Sequence, residues 1–262
     1  MRLGIFLTTI VCALSVHAED TKGWSASQFI AAMKEAKPKG GTLIRVRIEQ
    51  RNGGEKSTIL AQIKRHDMGD GGTEQLYQIT YPKDRKGEAL VLVTKPGAPF
   101  SAKTFIPGKG FTALTAADKR SPLFGTDLTV EDLLVDFLDW NKHEIVGGEK
   151  VRSGECTIIE SNAPKTGSFP SKVKSWIDNT RFVAWRIQVF DGGNQPAREV
   201  EAEDVVRTSG GHWVPRTFSV TNLAKGTKTT VAGTGSDEDK QYAENDFSEA
   251  TIAAFAQGPG IK

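Results

Sequence analysis

The sequence predicts a mainly β protein (α+β, with few helices) built on one long antiparallel sheet. Three observations carry that prediction. Apolar and polar residues alternate with period two over most of the chain, Gly- and Asn-containing turns interrupt these stretches, and few segments carry helical signals. Many strands with too few helices to cover both faces curl into a sandwich or barrel. The 27 Gly and 11 Pro are a modest excess, spent on the turns of such a sheet.

The chain opens with a segment that belongs to export. Arg2 precedes an apolar run from Leu3 to Leu14, and Val16-His17-Ala18 precedes Glu19-Asp20. A positive start, an apolar stretch too short to span a bilayer and small residues before the charges describe a signal peptide at 1–18, cleaved after Ala18. Residues 19–262 are then expected to form a single domain in the periplasm. Cys12 follows Val11 inside the apolar run, where a lipid-anchor signal would need a small residue. Cleavage leaves Cys156 as the single thiol, so stability rests on burial rather than on a disulfide.

The first mature element is a helix. Ser25 is its cap, Gln28 reaches back in a capping box, and Trp24 packs on Phe29 as a staple. Phe29, Ile30 and Met33 form its apolar stripe, which ends at Pro38-Lys39-Gly40-Gly41. A meander of five or six strands follows. Ile44, Val46 and Ile48 alternate with charged residues, Asn52-Gly53-Gly54 turns the chain, and Ile59, Ala61 and Ile63 continue the pattern. Asp70-Gly71-Gly72 makes the next turn, before Tyr77, Ile79 and Tyr81. Ala89-Leu90-Val91-Leu92-Val93 is apolar on both faces, as in a strand covered on both sides.

A second helix is expected from Thr129, its cap, with Leu133, Leu134, Phe137, Leu138 and Trp140 on a wide apolar face. Asp127, Glu131 and Asp132 cluster at its positive end, where dipole stabilisation explains them better than acid–base chemistry. Six more strands are read at 157–160, 173–178, 182–190, 199–206, 212–221 and 227–231, giving about eleven. Residues 247–255 are read as a short C-terminal helix. No Pro/Ser-type linker divides the two β runs, so one continuous sheet is expected.

Composition and motifs narrow the function. With 25% charged residues and a net charge of +2, the chain lacks the basic surface that nucleic acid needs. Beyond the leader no apolar run approaches the roughly 20 residues of a membrane helix. There is no G-x-S-x-G elbow, no H-E-x-x-H and no C-x-x-C, and His66, His143 and His212 are far apart in sequence. Residues 67–72 lack the spacing of a calcium loop and read as a hairpin turn. Cys156, beside Thr157-Ile158-Ile159, reads as a buried structural thiol. A non-enzymatic protein without metal or cofactor is expected.

Four segments, in order, resemble a known family. They are Ser121-Pro122-Leu123-Phe124-Gly125-Thr126-Asp127-Leu128-Thr129-Val130-Glu131-Asp132-Leu133, residues 171–178 (SKVKSWID), residues 185–191 (WRIQVFD) and residues 211–216 (GHWVPR). Together they resemble the LolA-like outer-membrane lipoprotein-sorting proteins, over roughly residues 100–235. The resemblance implies a strongly curved antiparallel sheet forming a half-open barrel, covered by helices as in LolA and LolB. It also implies a carrier that holds acyl chains of a lipid or lipoprotein in its interior. Such a carrier meets an inner-membrane exporter and an outer-membrane acceptor, touches membranes only transiently, and is expected to be a monomer. A sensing or interaction module, or an accessory of a lipid exporter, is the alternative use of the same fold.

The candidate cavity lining follows from the apolar stripes. The first meander offers Ile44, Val46, Ile48, Ile59, Ile63, Tyr77 and Ile79, with Leu90 and Leu92 from its fourth strand. The middle helix offers Leu134, Phe137 and Leu138. The second run offers Trp185, with Ile187 and Val189 two and four residues on, and Phe218. Trp176 and Trp213 are either ordinary core or further lining. A stripe of this kind packs equally well on a helix or on a ligand.

Overall fold

A computed structural model describes residues 21–52, 54–165 and 169–258. The proposed leader at 1–18 lies outside the described residues. The strands are β1 (Thr42–Asn52), β2 (Glu55–Asp67), β3 (Thr73–Tyr81), β4 (Ala89–Thr94), β5 (Ser101–Ile106), β6 (Gly110–Leu114) and β7 (Lys142–Val151). They continue as β8 (Gly154–Asn162), β9 (Lys172–Asp178), β10 (Ala184–Phe190), β11 (Pro196–Arg207), β12 (Trp213–Asn222) and β13 (Thr227–Asp237). All belong to one curved, unclosed antiparallel sheet of 13 strands, ordered β6-β5-β4-β3-β2-β1-β13-β12-β11-β10-β9-β8-β7.

That order has a simple origin. Every neighbouring pair except one is a sequence-adjacent hairpin; the exception is β1 with β13, which join two meanders at a central seam. The free edges are therefore β6 and β7, the two strands consecutive in sequence around residues 115–141. This insert must cross from one edge of the sheet to the other. It contains a 3-10 turn (Ala116–Arg120), the short helix α2 (Val130–Leu134) and a second 3-10 turn (Asp136–Asp139).

The two faces of the sheet are packed differently. On the inner face Val46, Ile48, Ile59, Ala61, Ile79, Leu90 and Leu92 bury against Leu123, Leu128 and Val130 of the insert. Further along the same face Ile159, Val173 and Ile177 pack on Phe137 and Leu138 of the insert and on Phe29 and Ile30 of α1 (Ala26–Glu35). The cap of α1 is the one expected: Ser25 and Gln28 form the capping box, and Trp24 meets Phe29 edge to face at 5.3 Å. On the outer face α3 (Glu249–Gln257) places Ile252, with Phe247 just before it, on Leu76, Ala89, Val91 and Phe105. Gln78, buried beneath α3, donates to the Ile252 carbonyl at 3.3 Å and accepts from Gln62 at 3.1 Å, so a polar pair sits satisfied in an apolar layer.

Two expectations need correction. The sheet has 13 strands rather than about eleven: the first meander has six, the upper end of the five or six expected, and the second has seven, because β7 precedes the six strands expected there. The middle helix is one turn and a half, not a continuous helix to Trp140. Val135 adopts a left-handed conformation (φ 49°), which ends α2, and the chain resumes as a 3-10 turn. This costs about 1–2 kcal/mol for a β-branched residue and redirects Phe137 and Leu138 toward α1.

Candidate functional site

Two apolar cavities lie on the inner face, on either side of α2. The larger is about 840 Å³, in the upper part of the roughly 300–1,000 Å³ span of ligand pockets. Ile44, Val46 and Ile48 of β1, Ala61 and Ile63 of β2 and Tyr77 of β3 form one wall; Phe218 of β12 and Val231 of β13 form the other. Leu123, Phe124, Leu128 and Leu133 of the insert close it above. The smaller cavity, about 360 Å³, lies between the insert and β9–β12, with Phe137, Val173, Ile187, Val189, Val200 and Val220 among its walls. Leu128, Leu133 and Phe218 border both cavities and form the partition between them.

The insert is pinned to the sheet by polar contacts around its apolar side chains. Thr129 and Asp132 form a capping box at the start of α2. Asp132 then receives the Arg198 guanidinium of β11 at 2.5 Å, and the same guanidinium donates to the Asp127 carbonyl at 2.6 Å. The Asp127 carboxylate accepts from Thr227 at 2.5 Å and from Thr229 at 2.9 Å, both on β13. Lys119 pairs with Asp136 beside the smaller cavity. Glu131 faces the same cavity, and burial pushes its carboxyl up to about 7. Tyr77 donates its hydroxyl to Gln75 at 2.8 Å at the wall of the larger cavity, and burial pushes its pKa up.

With this geometry the comparisons with known proteins agree. The sequence model of a family described as an uncharacterized protein matches residues 71–254. The fold is similar to a DUF1329 family protein from Desulfovibrio piger ATCC 29098, with a TM-score of 0.80, 16% identity, and coverage of 87% of this chain and 97% of that one. It is similar to an outer membrane lipoprotein-sorting protein domain from Vibrio parahaemolyticus, with a TM-score of 0.79, 17% identity, and coverage of 87% and 98%. A LolA superfamily protein from Nitrosomonas europaea matches with a TM-score of 0.64, 14% identity, and coverage of 86% and 97%. The sequence matches no curated protein. The chain belongs to the family of that sequence model, and its fold is LolA-like.

In this LolA-like sheet the expected lining residues divide into three groups. Ile44, Val46, Ile48, Ile63, Tyr77 and Phe218 line the larger cavity; Phe137, Ile187, Val189 and again Phe218 line the smaller one. Ile59, Ile79, Leu90 and Leu92 are on the same face but fully packed beneath the insert, and Leu134 is half-buried against them. Leu138 is buried under α1. These six are core rather than wall.

Trp185 requires a larger correction. It belongs to an outer-face cluster with Trp176, Cys156 and Val151 and touches neither cavity. A register shift between Ala184 and Arg186 breaks the alternation, so Trp185 no longer shares a face with Ile187 and Val189. Its indole donates to Asp178 at 3.0 Å. Burial opposes the charge on Asp178, but the hydrogen bonds from Trp185, Thr180 and Arg181 outweigh it and hold the carboxyl below its ordinary value. Trp213 lies under Arg181, 5.1 Å from guanidinium carbon to ring centroid.

Other candidate groups stay apart. His66 stacks on Phe247, His143 pairs with Ser161 at 2.9 Å, and His212 meets the Ala36 carbonyl at 3.2 Å. Among the described residues no group of three His, Cys, Asp or Glu is placed to hold a metal ion. The turn at 67–72 is a hairpin turn, with Gly72 donating to Asp70 at 3.1 Å. Cys156 is buried, and its thiol is pushed up to about 11 by burial. Arg198 was missed from sequence; the available signal was a cation at the same strand parity as Val200, with an acidic cluster elsewhere in the chain to receive it.

Proposed function

We propose that this LolA-like protein is a periplasmic carrier that holds acyl chains of a lipid or lipoprotein in the larger cavity and delivers them toward the outer membrane. The observation that carries the reading is the cavity of about 840 Å³ whose long wall, Ile44, Val46 and Ile48, runs inward along β1 beneath the insert. Each CH₂ moved from water to such a wall contributes about 0.8 kcal/mol, so a long chain gains on the order of 10 kcal/mol before ordering costs. The leader-like residues 1–18 and the lipoprotein-sorting description of the Vibrio parahaemolyticus relative support the same role. No helix among the described residues is long and apolar enough to cross a membrane. The insert, which closes the cavity above with Leu123, Phe124, Leu128 and Leu133, is the part that moves to admit and release cargo.

The test is native mass spectrometry of protein taken from the periplasm, followed by lipid extraction and titration with a fluorescent acyl probe. Bound lipid and saturable probe binding are expected. Protein that is consistently empty and binds no acyl probe overturns the carrier reading and favours a protein-binding module.

A further inference from the structure

We infer that the mouth of the larger cavity is a headgroup subsite selecting amphiphiles with an anionic group, a carboxylate or a phosphate, through Lys37 and Arg207. The inference rests on the carrier reading and adds to it the chemistry of the ligand's polar end.

The mouth is set by strand direction. β1, β3 and β12 begin there, β2, β11 and β13 end there, and the chain leaving α1 passes across it. The same cavity is apolar along Val46 and Ile48 but turns cationic at this end, where Lys37, Arg65, Arg207 and Arg216 border it against one carboxylate, Glu238. Their partners separate these groups further. Arg65 is held by Asp67 at 2.5 Å, and Arg216 is paired with Asp204. Glu238 is occupied by the Ser209 hydroxyl and the Gly210 N–H, both at 2.6 Å. The Lys37 ammonium has no ion pair or hydrogen bond among the described residues, its nearby carboxylate, Asp139, being held by Lys34 at 2.6 Å, and the Arg207 guanidinium has only the Gly211 carbonyl, at 3.0 Å.

Two exposed cations without a direct carboxylate partner thus stand at the open end of an apolar chamber. An acyl chain lying along Ile44, Val46 and Ile48 brings its polar end to them. A neutral headgroup gains nothing from this arrangement, whereas an anion forms charge-assisted hydrogen bonds without breaking an existing ion pair. The position at the rim also allows release, because exposed ion pairs are weak and screened by salt.

The experiment compares three probes sharing one chain, oleate, oleoyl lysophosphatidic acid and oleyl alcohol, on the wild type and on Lys37→Gln/Arg207→Gln. Both positions are exposed, and thermal melting checks that the variant stays folded. The expected result is an affinity loss of about five- to tenfold for the anionic probes, with oleyl alcohol unchanged and the difference vanishing at high salt. The anion that loses more identifies the carboxylate or the phosphate as the preferred source. Equal effects on all three probes, or none, overturn the headgroup subsite and leave the carrier reading standing. A wild type that binds no probe, oleyl alcohol included, overturns the carrier reading and this inference with it.

Discussion

Arg198 of β11 and Asp132 of α2 meet at 2.5 Å with side chains only 11% and 9% exposed, so the charge that fixes the insert lies largely out of water. Such a pair is costly to break, because the survivor is left as an unpaired buried charge. Arg198→Met is expected to destabilise the protein by about 3–5 kcal/mol. In Arg198→Met/Asp132→Leu much of that loss returns, short of the cap that Asp132 gives Thr129. Urea unfolding of both variants checks this; equal stabilities would sink the idea that the pair, rather than Arg198 packing, is what matters.

Glu131 makes stability depend on pH. Its folded pKa, about 7, lies above the ordinary 4.5 because burial disfavours the carboxylate. The folded state therefore binds more protons, and the contribution is fully present below about pH 4.5 and is lost as pH rises through 7. Glu131→Gln should match the wild type at the acid end and exceed it above pH 7 by roughly 1 kcal/mol, after discounting for solvent screening. Melting curves from pH 5 to 8 test the sign.

Gly154 is required by the outer-face cluster. A Cβ there would overlap the Trp185 indole nitrogen and stand 2.5 Å from Asp178 Oδ2. Gly154→Ala is expected to cost about 1–3 kcal/mol by overpacking, with loss of the Trp185–Asp178 hydrogen bond. Near-ultraviolet circular dichroism and urea titration report the two effects separately.

Filling the larger cavity distinguishes wall from core. Ile63→Trp adds volume toward empty space, so acyl-probe affinity should fall about tenfold while the melting temperature changes little. Trp185→Phe, on the opposite face, should leave probe binding intact. If the two variants bound alike, the cavity would not be the binding site.

Cys156 offers a probe of global opening. With its thiol pushed up to about 11 and buried, alkylation by iodoacetamide at pH 8 is expected only as fast as the protein unfolds. Rapid labelling of the native protein, read by peptide mass spectrometry, would contradict this.

The sequence was most legible where one physical rule acted alone. Ser25 and Gln28 announce α1, and the regular alternation of Ile44, Val46 and Ile48 places β1 with the right face inward. β7 was illegible because, as an edge strand exposed along nearly all its length, it has no buried face to impose a period. β5 and β6 carry no alternation that would place them, since β5 buries only Ala102 and Phe105, which lie on opposite faces, and β6 buries no residue. The cavity walls were partly legible: Ile44 and Ile79 carry the same pattern, and only the position of the insert makes one wall and the other core. At Trp185 the pattern misled, since a bulge shifts the phase without leaving any mark in the residue types.

The seam between β1 and β13 bears on how the molecule is made. Each meander grows by hairpins between neighbours in sequence, whereas Ile48 and Val231 must find one another across most of the chain. Contacts of such long range carry the largest loop-closure entropy and are slow to form. During synthesis the first meander emerges long before its central partner strand exists, leaving the Ile44–Val46–Ile48 edge without a neighbour. Because the larger cavity takes its walls from both sides of that seam, it comes into being only when the last strand of the sheet has docked.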